Sequence, residues 1–99
     1  MSEYLYLTAQ LKVRNDKVEE LKSAALAIVA DSRAEDGCIS YNVHQSIEDE
    51  TIFIWRESWK SKDDLNKHFE KDYVKEFFVF ANEVAAEPPK IFLTKLLTN

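Results

Sequence analysis

The hydrophobic period changes along this chain in a fixed order, and that order constrains the fold more than any other feature. Residues 4–13 alternate: Leu5, Leu7, Ala9, Leu11 and Val13 share one face of an extended segment. Tyr4, Tyr6, Thr8 and Gln10 share the other, and both faces start apolar, so both are expected to be covered. A helical period of about 3.6 follows, as far as residue 34. Val18, Leu21, Ala25, Ile28, Val29 and Ser32 form its buried stripe, with Lys17, Glu20, Lys22 and Asp31 mainly off it. Asn15 or Asp16 is placed to cap this helix, with Glu19 in capping-box spacing after Asp16. Glu35-Asp36-Gly37 ends it, and Gly37 stands where a helix terminus favours a positive φ.

Alternation returns over residues 38–45, with Ile39, Tyr41 and Val43 on one face and Ser40, Asn42 and His44 on the other. A polar loop at 46–50 leads into residues 51–59, and so short a loop predicts an antiparallel pair. Phe53, Trp55, Glu57 and Trp59 share a face there; Ile52, Ile54, Arg56 and Ser58 share the opposite one. Ser61, with Asp64, is placed to cap a second helix whose Leu65, His68 and Phe69 lie together. A third helix spans 72–86 with two apolar stripes: Tyr73, Phe77, Phe80, Val84 and Val74, Phe78, Ala81, Ala85. A helix so widely apolar is expected to touch two surfaces at once. Pro88-Pro89 stops it, and residues 91–97 read as a last strand.

The resulting order, β-α-β-β-α-β, predicts an α+β fold of the ferredoxin-like kind: one antiparallel sheet with helices on one face. At 99 residues the chain reads as one domain, without repeat or linker. Six Phe, four Tyr and two Trp exceed what so small a core encloses. The sheet face left bare by the helices is expected to be apolar and to pair with a second copy, giving a homodimer. Asn42, His44 and Arg56 lie on that face; Asn42 and His44 are expected to meet the interface or solvent, and Arg56 reads as an inter-subunit ion-pair residue.

Composition then removes whole classes of chemistry. One Gly leaves no phosphate-cradling loop and no dinucleotide fingerprint. One Cys leaves no intrachain disulfide and no multi-Cys metal site; Cys38 reads as a small buried filler. Two His without metal-ligand spacing make a His-based site unexpected, so neither metal nor cofactor is expected. A net charge of −5 disfavours nucleic acid and anionic membranes. No apolar run reaches a membrane span, residues 1–3 lack a signal peptide's basic start, and an unpaired Cys fits a cytoplasmic location.

Two segments carry a family resemblance. Glu35-Asp36-Gly37-Cys38-Ile39-Ser40-Tyr41 resembles the E-x-G-C-x-x-Y segment of the antibiotic biosynthesis monooxygenase domain family. Glu57-Ser58-Trp59, followed by Leu65 and His68, resembles that family's E-x-W … L-x-x-H segment. The resemblance implies a dimeric α+β barrel with a pocket between sheet and helices in each subunit. It also implies one of several activities: cofactor-free oxidation of quinols and polyketide phenols, isomerisation of a phosphorylated signal molecule, or haem degradation. Many members carry a further His just after the one matching His68; here Tyr73 stands near that place. The haem-degrading branch uses an Asn on the first strand and a His on the last helix. This first strand has no Asn and the helix position carries Phe78, so haem degradation is disfavoured. Residues 13–18 resemble the entry to helix one of the signal-processing isomerase.

His68 is the strongest catalytic candidate, because an imidazole exchanges protons near neutral pH; the alternative is a half-buried packing residue. Glu57, between Trp55 and Trp59 on an apolar face, needs a partner or a raised pKa, and either orients His68, titrates itself or makes a structural ion pair. Trp59, Trp55, Phe77 and Phe80 are candidates to line a flat apolar slot and are otherwise core; Tyr41 and Tyr73 are candidates to hold a substrate oxygen. Three readings follow. The first is an oxygenase of a small phenol or quinol using molecular oxygen, with His68 as base. The second is an isomerase of an enediol, which needs a positive phosphate site. The third is a non-catalytic dimeric binder, which predicts a closed space beside His68.

Overall fold

The computed structural model describes residues 4–98; residues 1–3, which bear on the signal-peptide expectation, lie outside them. The chain runs β1 (Leu5–Lys12), a 3-10 turn (Asn15–Lys17), α1 (Val18–Ala27), α2 (Val29–Arg33), β2 (Cys38–Gln45), β3 (Ile52–Trp59), α3 (Lys62–Glu70), α4 (Asp72–Val84) and β4 (Lys90–Thr94). The four strands form one antiparallel sheet in the order β2-β3-β1-β4, the ferredoxin-like arrangement expected from the period order.

Register sorts the strand residues into rows. Tyr41–Glu57–Leu7–Leu93 and Val43–Trp55–Ala9–Ile91 face the helices; Asn42–Arg56–Thr8–Phe92 and His44–Ile54–Gln10–Lys90 face away. The helix-facing rows supply the core, where Leu7, Leu11, Phe53, Trp55 and Trp59 meet Leu21, Ala25, Leu65, Phe77 and Ala81. The uncovered face is mixed, with hydroxyls, amides and cations among its few apolar side chains, and is not the apolar surface expected. Its residues follow from the same alternation that fills the core, so no polar position on it needed to be spent inward.

Several local expectations are corrected. The first helix is broken at Ile28, and neither Asn15 nor Asp16 makes a side-chain cap; those residues form the 3-10 turn instead. Alternation slips at Ile39, because a register irregularity between Cys38 and Ser40 leaves it exposed. Cys38 then pairs with Trp59 and Tyr41 with Glu57, so a bulge re-aims the strand beside the site. The third helix stops at Val84 and the last strand at Thr94, both shorter than expected. Ser61 does cap α3, accepting from the Asp64 N–H at 3.1 Å.

Gly37 has no positive φ. Its requirement is proximity: a Cβ built there would collide with Cβ and Cγ of Asp64, in the first turn of α3. The Gly37 carbonyl also accepts from the Lys60 N–H at 2.9 Å, holding this turn against the start of α3. Gly37→Ala is therefore expected to cost about 1–3 kcal/mol in urea unfolding. Asp36→Ala, at the exposed neighbour, should stay within about 0.5 kcal/mol, so equal effects would remove the close-approach account.

Candidate functional site

A cavity of about 400 Å³ lies between the helix-facing side of the sheet and α3 and α4. Leu7, Ala9, Leu11 and Trp55 line it from the sheet, Phe69, Phe77, Phe78 and Ala81 from the helices, and Ile91 from β4. Its wall is mostly apolar, which suits a small hydrophobic ligand. The titratable groups on it are Tyr41, Glu57 and His68. Tyr41 and Glu57 are cross-strand partners, and the His68 ring lies 5.7 Å from that of Tyr41.

Leu65 and His68 sit one helical turn apart on the inward face of α3, which is why His68 is only 2% exposed. Its ring is 4.6 Å from that of Trp59. Nδ1 lies 2.7 Å from Oε2 of Glu35, in the turn between α2 and β2, and that same oxygen accepts from the Tyr73 hydroxyl. Burial lowers the pKa of His68, the bond to Glu35 and its negative charge partly offset this, and Lys71 adds a small lowering effect. The imidazole is therefore neutral at pH 7 and able to receive a proton.

Glu57 is buried with Oε1 accepting from the indole N–H of Trp59 at 2.9 Å. Burial pushes its carboxyl up to about 7; the Trp59 bond works against the rise and the charge of Glu35 adds to it. Near neutrality this group is divided between acid and carboxylate, so it can donate or accept a hydrogen bond in the cavity. Tyr41 and Tyr73 are both held in the phenol form, chiefly by burial.

Five of the eight residues singled out from the sequence line the cavity: Tyr41, Trp55, Glu57, His68 and Phe77. Three do not. Trp59 is fully buried, its ring against His68 and its N–H on Glu57. Tyr73 is turned to Glu35, and Phe80 packs on the edge of the core. Glu57 makes no hydrogen bond to His68 among the described residues; Glu35 takes that place. Glu35 is not among the sequence candidates, although it opens the 35–41 segment that carries the family resemblance. Phe69, Phe78 and Ile91 are further wall residues that were not singled out for the slot. Cys38 is half-buried and its thiol is pushed up to about 11, first by burial and then by Glu57 and Glu35, which keeps it an inert filler. Among the described residues, no group of three or more His, Cys, Asp or Glu is placed to hold a metal ion, and no helix is long and apolar enough to cross a membrane.

The family model described as antibiotic biosynthesis monooxygenase matches residues 5–79, a span that includes Glu35, Tyr41, Glu57 and His68. The chain belongs to the antibiotic biosynthesis monooxygenase family. It is similar to YcnE of Bacillus subtilis, which bears a provisional monooxygenase name: 30% identity over 93% of this chain and 97% of that protein. It is also similar to the uncharacterised Synechocystis protein sll1783, at 29% identity over 93% of this chain, and spans 63% of that protein's length. Among solved structures, Pseudomonas aeruginosa PA3566 superposes with a TM-score of 0.90 at 32% identity, covering 99% of this chain and 98% of that one. Within this family fold, the present cavity offers a neutral imidazole, a carboxyl near its midpoint at pH 7 and an apolar wall.

The carboxyl leaves a thermodynamic signature. Its folded pKa, about 7, is above the ordinary 4.5, so the folded state holds the proton more tightly. Stability from this group is full below about pH 4.5 and is lost as pH rises to about 7. The Glu57→Gln variant still accepts from Trp59 and loses this dependence. Its stability relative to wild type should rise by about 3 kcal/mol across that window and level off above it. His68, whose lowered pKa acts in the opposite direction, is common to both proteins and cancels. A pH-independent difference in chemical denaturation would show that Glu57 is not held as an acid.

Proposed function

We propose that this chain is a cofactor-independent monooxygenase of small phenols or quinols, with His68 as the general base. The observation that carries the reading is the neutral imidazole at an apolar cavity beside Tyr41 and Glu57. His68 takes the proton of a substrate hydroxyl, and the resulting electron-rich anion reduces dioxygen. One oxygen atom enters the ring as a carbonyl and the other leaves as water, all four electrons coming from the substrate. Glu57 in its acid form donates a hydrogen bond to the developing oxyanion. Trp55 and Phe77 offer flat apolar surfaces for an aromatic ring, and Tyr41 a hydroxyl for its oxygen.

Two features weigh against the rival readings. No Lys or Arg lines the cavity among the described residues, so a phosphorylated enediol finds no counter-charge there. A cavity of about 400 Å³ is also larger than a non-catalytic, fully packed core requires. The family name and the provisional name of YcnE support the monooxygenase reading. The proposed assembly is a homodimer formed through the uncovered sheet face, with Arg56 in an inter-subunit pair, in a cytoplasmic setting. Sedimentation at micromolar concentration is expected to give twice the monomer mass; a monomer throughout would remove the dimer.

The activity is tested by oxygen uptake with a panel of hydroquinones and naphthols. His68→Ala should lose about 10²–10⁴-fold in kcat/KM. Equal rates in both proteins, or no turnover by the wild type, would overturn the reading for those substrates. Turnover that continues without oxygen would favour the isomerase.

A further inference from the structure

We infer that Glu35 is the positioning residue of the site: it holds His68 as the Nδ1–H tautomer, with Tyr73 locking the carboxylate in place. Nε2 is then left as the proton acceptor at the cavity. This deepens the proposed role of His68, and its catalytic consequence rests on that reading; the tautomer itself does not.

The geometry favours one arrangement of protons. Oε2 of Glu35 lies 2.7 Å from His68 Nδ1 and also receives the Tyr73 hydroxyl. Tyr73 is a firm phenol, raised by burial and by Glu35 itself, so it donates. An oxygen that already accepts one hydrogen bond and faces a ring nitrogen accepts the second most readily as a carboxylate. Nδ1 therefore carries a hydrogen, and in the neutral ring Nε2 must carry the lone pair. Nε2 has no hydrogen-bond partner among the described residues and is not sealed off, while the ring lines the cavity. Glu35 does not reach the cavity wall, so it acts through His68 and not on a ligand.

The carboxylate is held as firmly as the ring. Its residue sits in a turn where the Glu35 N–H donates to Ser32 and the Glu35 carbonyl accepts from Cys38 at 3.0 Å. Its side chain is 10% exposed against 3% for His68, so the pair interacts with little solvent screening. The other titratable groups around the ring are Tyr41 on β2, Glu57 on β3, Lys71 after α3 and Tyr73 on α4. Among the described residues none of these bonds to the ring; Glu35 does. The arrangement follows the logic of a hydrolase triad, in which an acid fixes the tautomer of a His and stabilises the cation formed on proton transfer.

The test is a proton–nitrogen-15 NMR titration of the imidazoles in wild type, Glu35→Gln and Tyr73→Phe, with the His68 signals assigned by their loss in His68→Ala. Neutral His68 in the wild type should show a protonated Nδ1 and a bare Nε2, the reverse of the tautomer that free imidazole side chains favour. Glu35→Gln should lower the His68 midpoint, since the charge beside the ring is gone. Tyr73→Phe should raise it, since the carboxylate is no longer shared. A merely structural role would not move the midpoint in opposite directions. In oxygen uptake, Glu35→Gln should reduce kcat by about 10²-fold with little change in KM, and Glu35→Asp should recover part of it. A wild-type ring protonated on Nε2, or a midpoint unchanged in Glu35→Gln, would overturn the inference. The NMR signals need no substrate, so the expected tautomer without oxygen uptake would overturn the monooxygenase reading for those substrates and support this one.

Discussion

The burial of ionisable groups on the helix-facing side of the sheet governs the rest of the site. A carboxylate placed there costs several kcal/mol unless it is protonated, paired or hydrogen-bonded. Glu57 meets that cost by moving toward its acid form and by taking the Trp59 indole N–H. His68 meets it by shedding its charge and engaging Glu35. The two groups reach opposite solutions a short distance apart, and this leaves one neutral base and one weak acid on the same cavity wall at neutral pH. Acid–base division of this kind arises from environment and not from residue type.

Strand periodicity carried much of this. Alternation from Thr51 to Trp59 puts Glu57 inside, and helical spacing from Leu65 puts His68 inside, because both readings depend only on which side of an element a residue occupies. Depth is not contained in a period. Trp59 shares a face with Trp55, yet one lies beneath His68 and the other on the cavity wall, since the helices cover the two ends of β3 differently. Tyr73 and Phe80 were misplaced for the same reason: a broad apolar stripe on α4 does not say which of its edges meets the cavity.

Glu35 was the harder residue to find. It belongs to a turn, which has no periodicity, and its partner is 33 residues further along the chain. The neighbouring Gly37 is required for its size and not for its conformational freedom. Chain reversal after a helix commonly needs a residue of positive φ, but here the backbone turns without one, and the small side chain serves to admit Asp64. Similarly, Ile39 falls off its expected face because a bulge adds one residue to β2, an event that alternation can only register as an error.

The close approach at Gly37 ties the two halves of the chain to each other. The turn that carries Glu35 and the helix that carries His68 come from separate β-α units, and they meet where the Gly37 backbone approaches Asp64. That contact acts as a spacer. It touches neither cavity nor ligand, yet a fraction of an ångström added there would be passed along the first turns of α3 to the imidazole. Alignment of Glu35 with His68 therefore depends on a position that lies on neither the cavity wall nor the hydrogen bond itself.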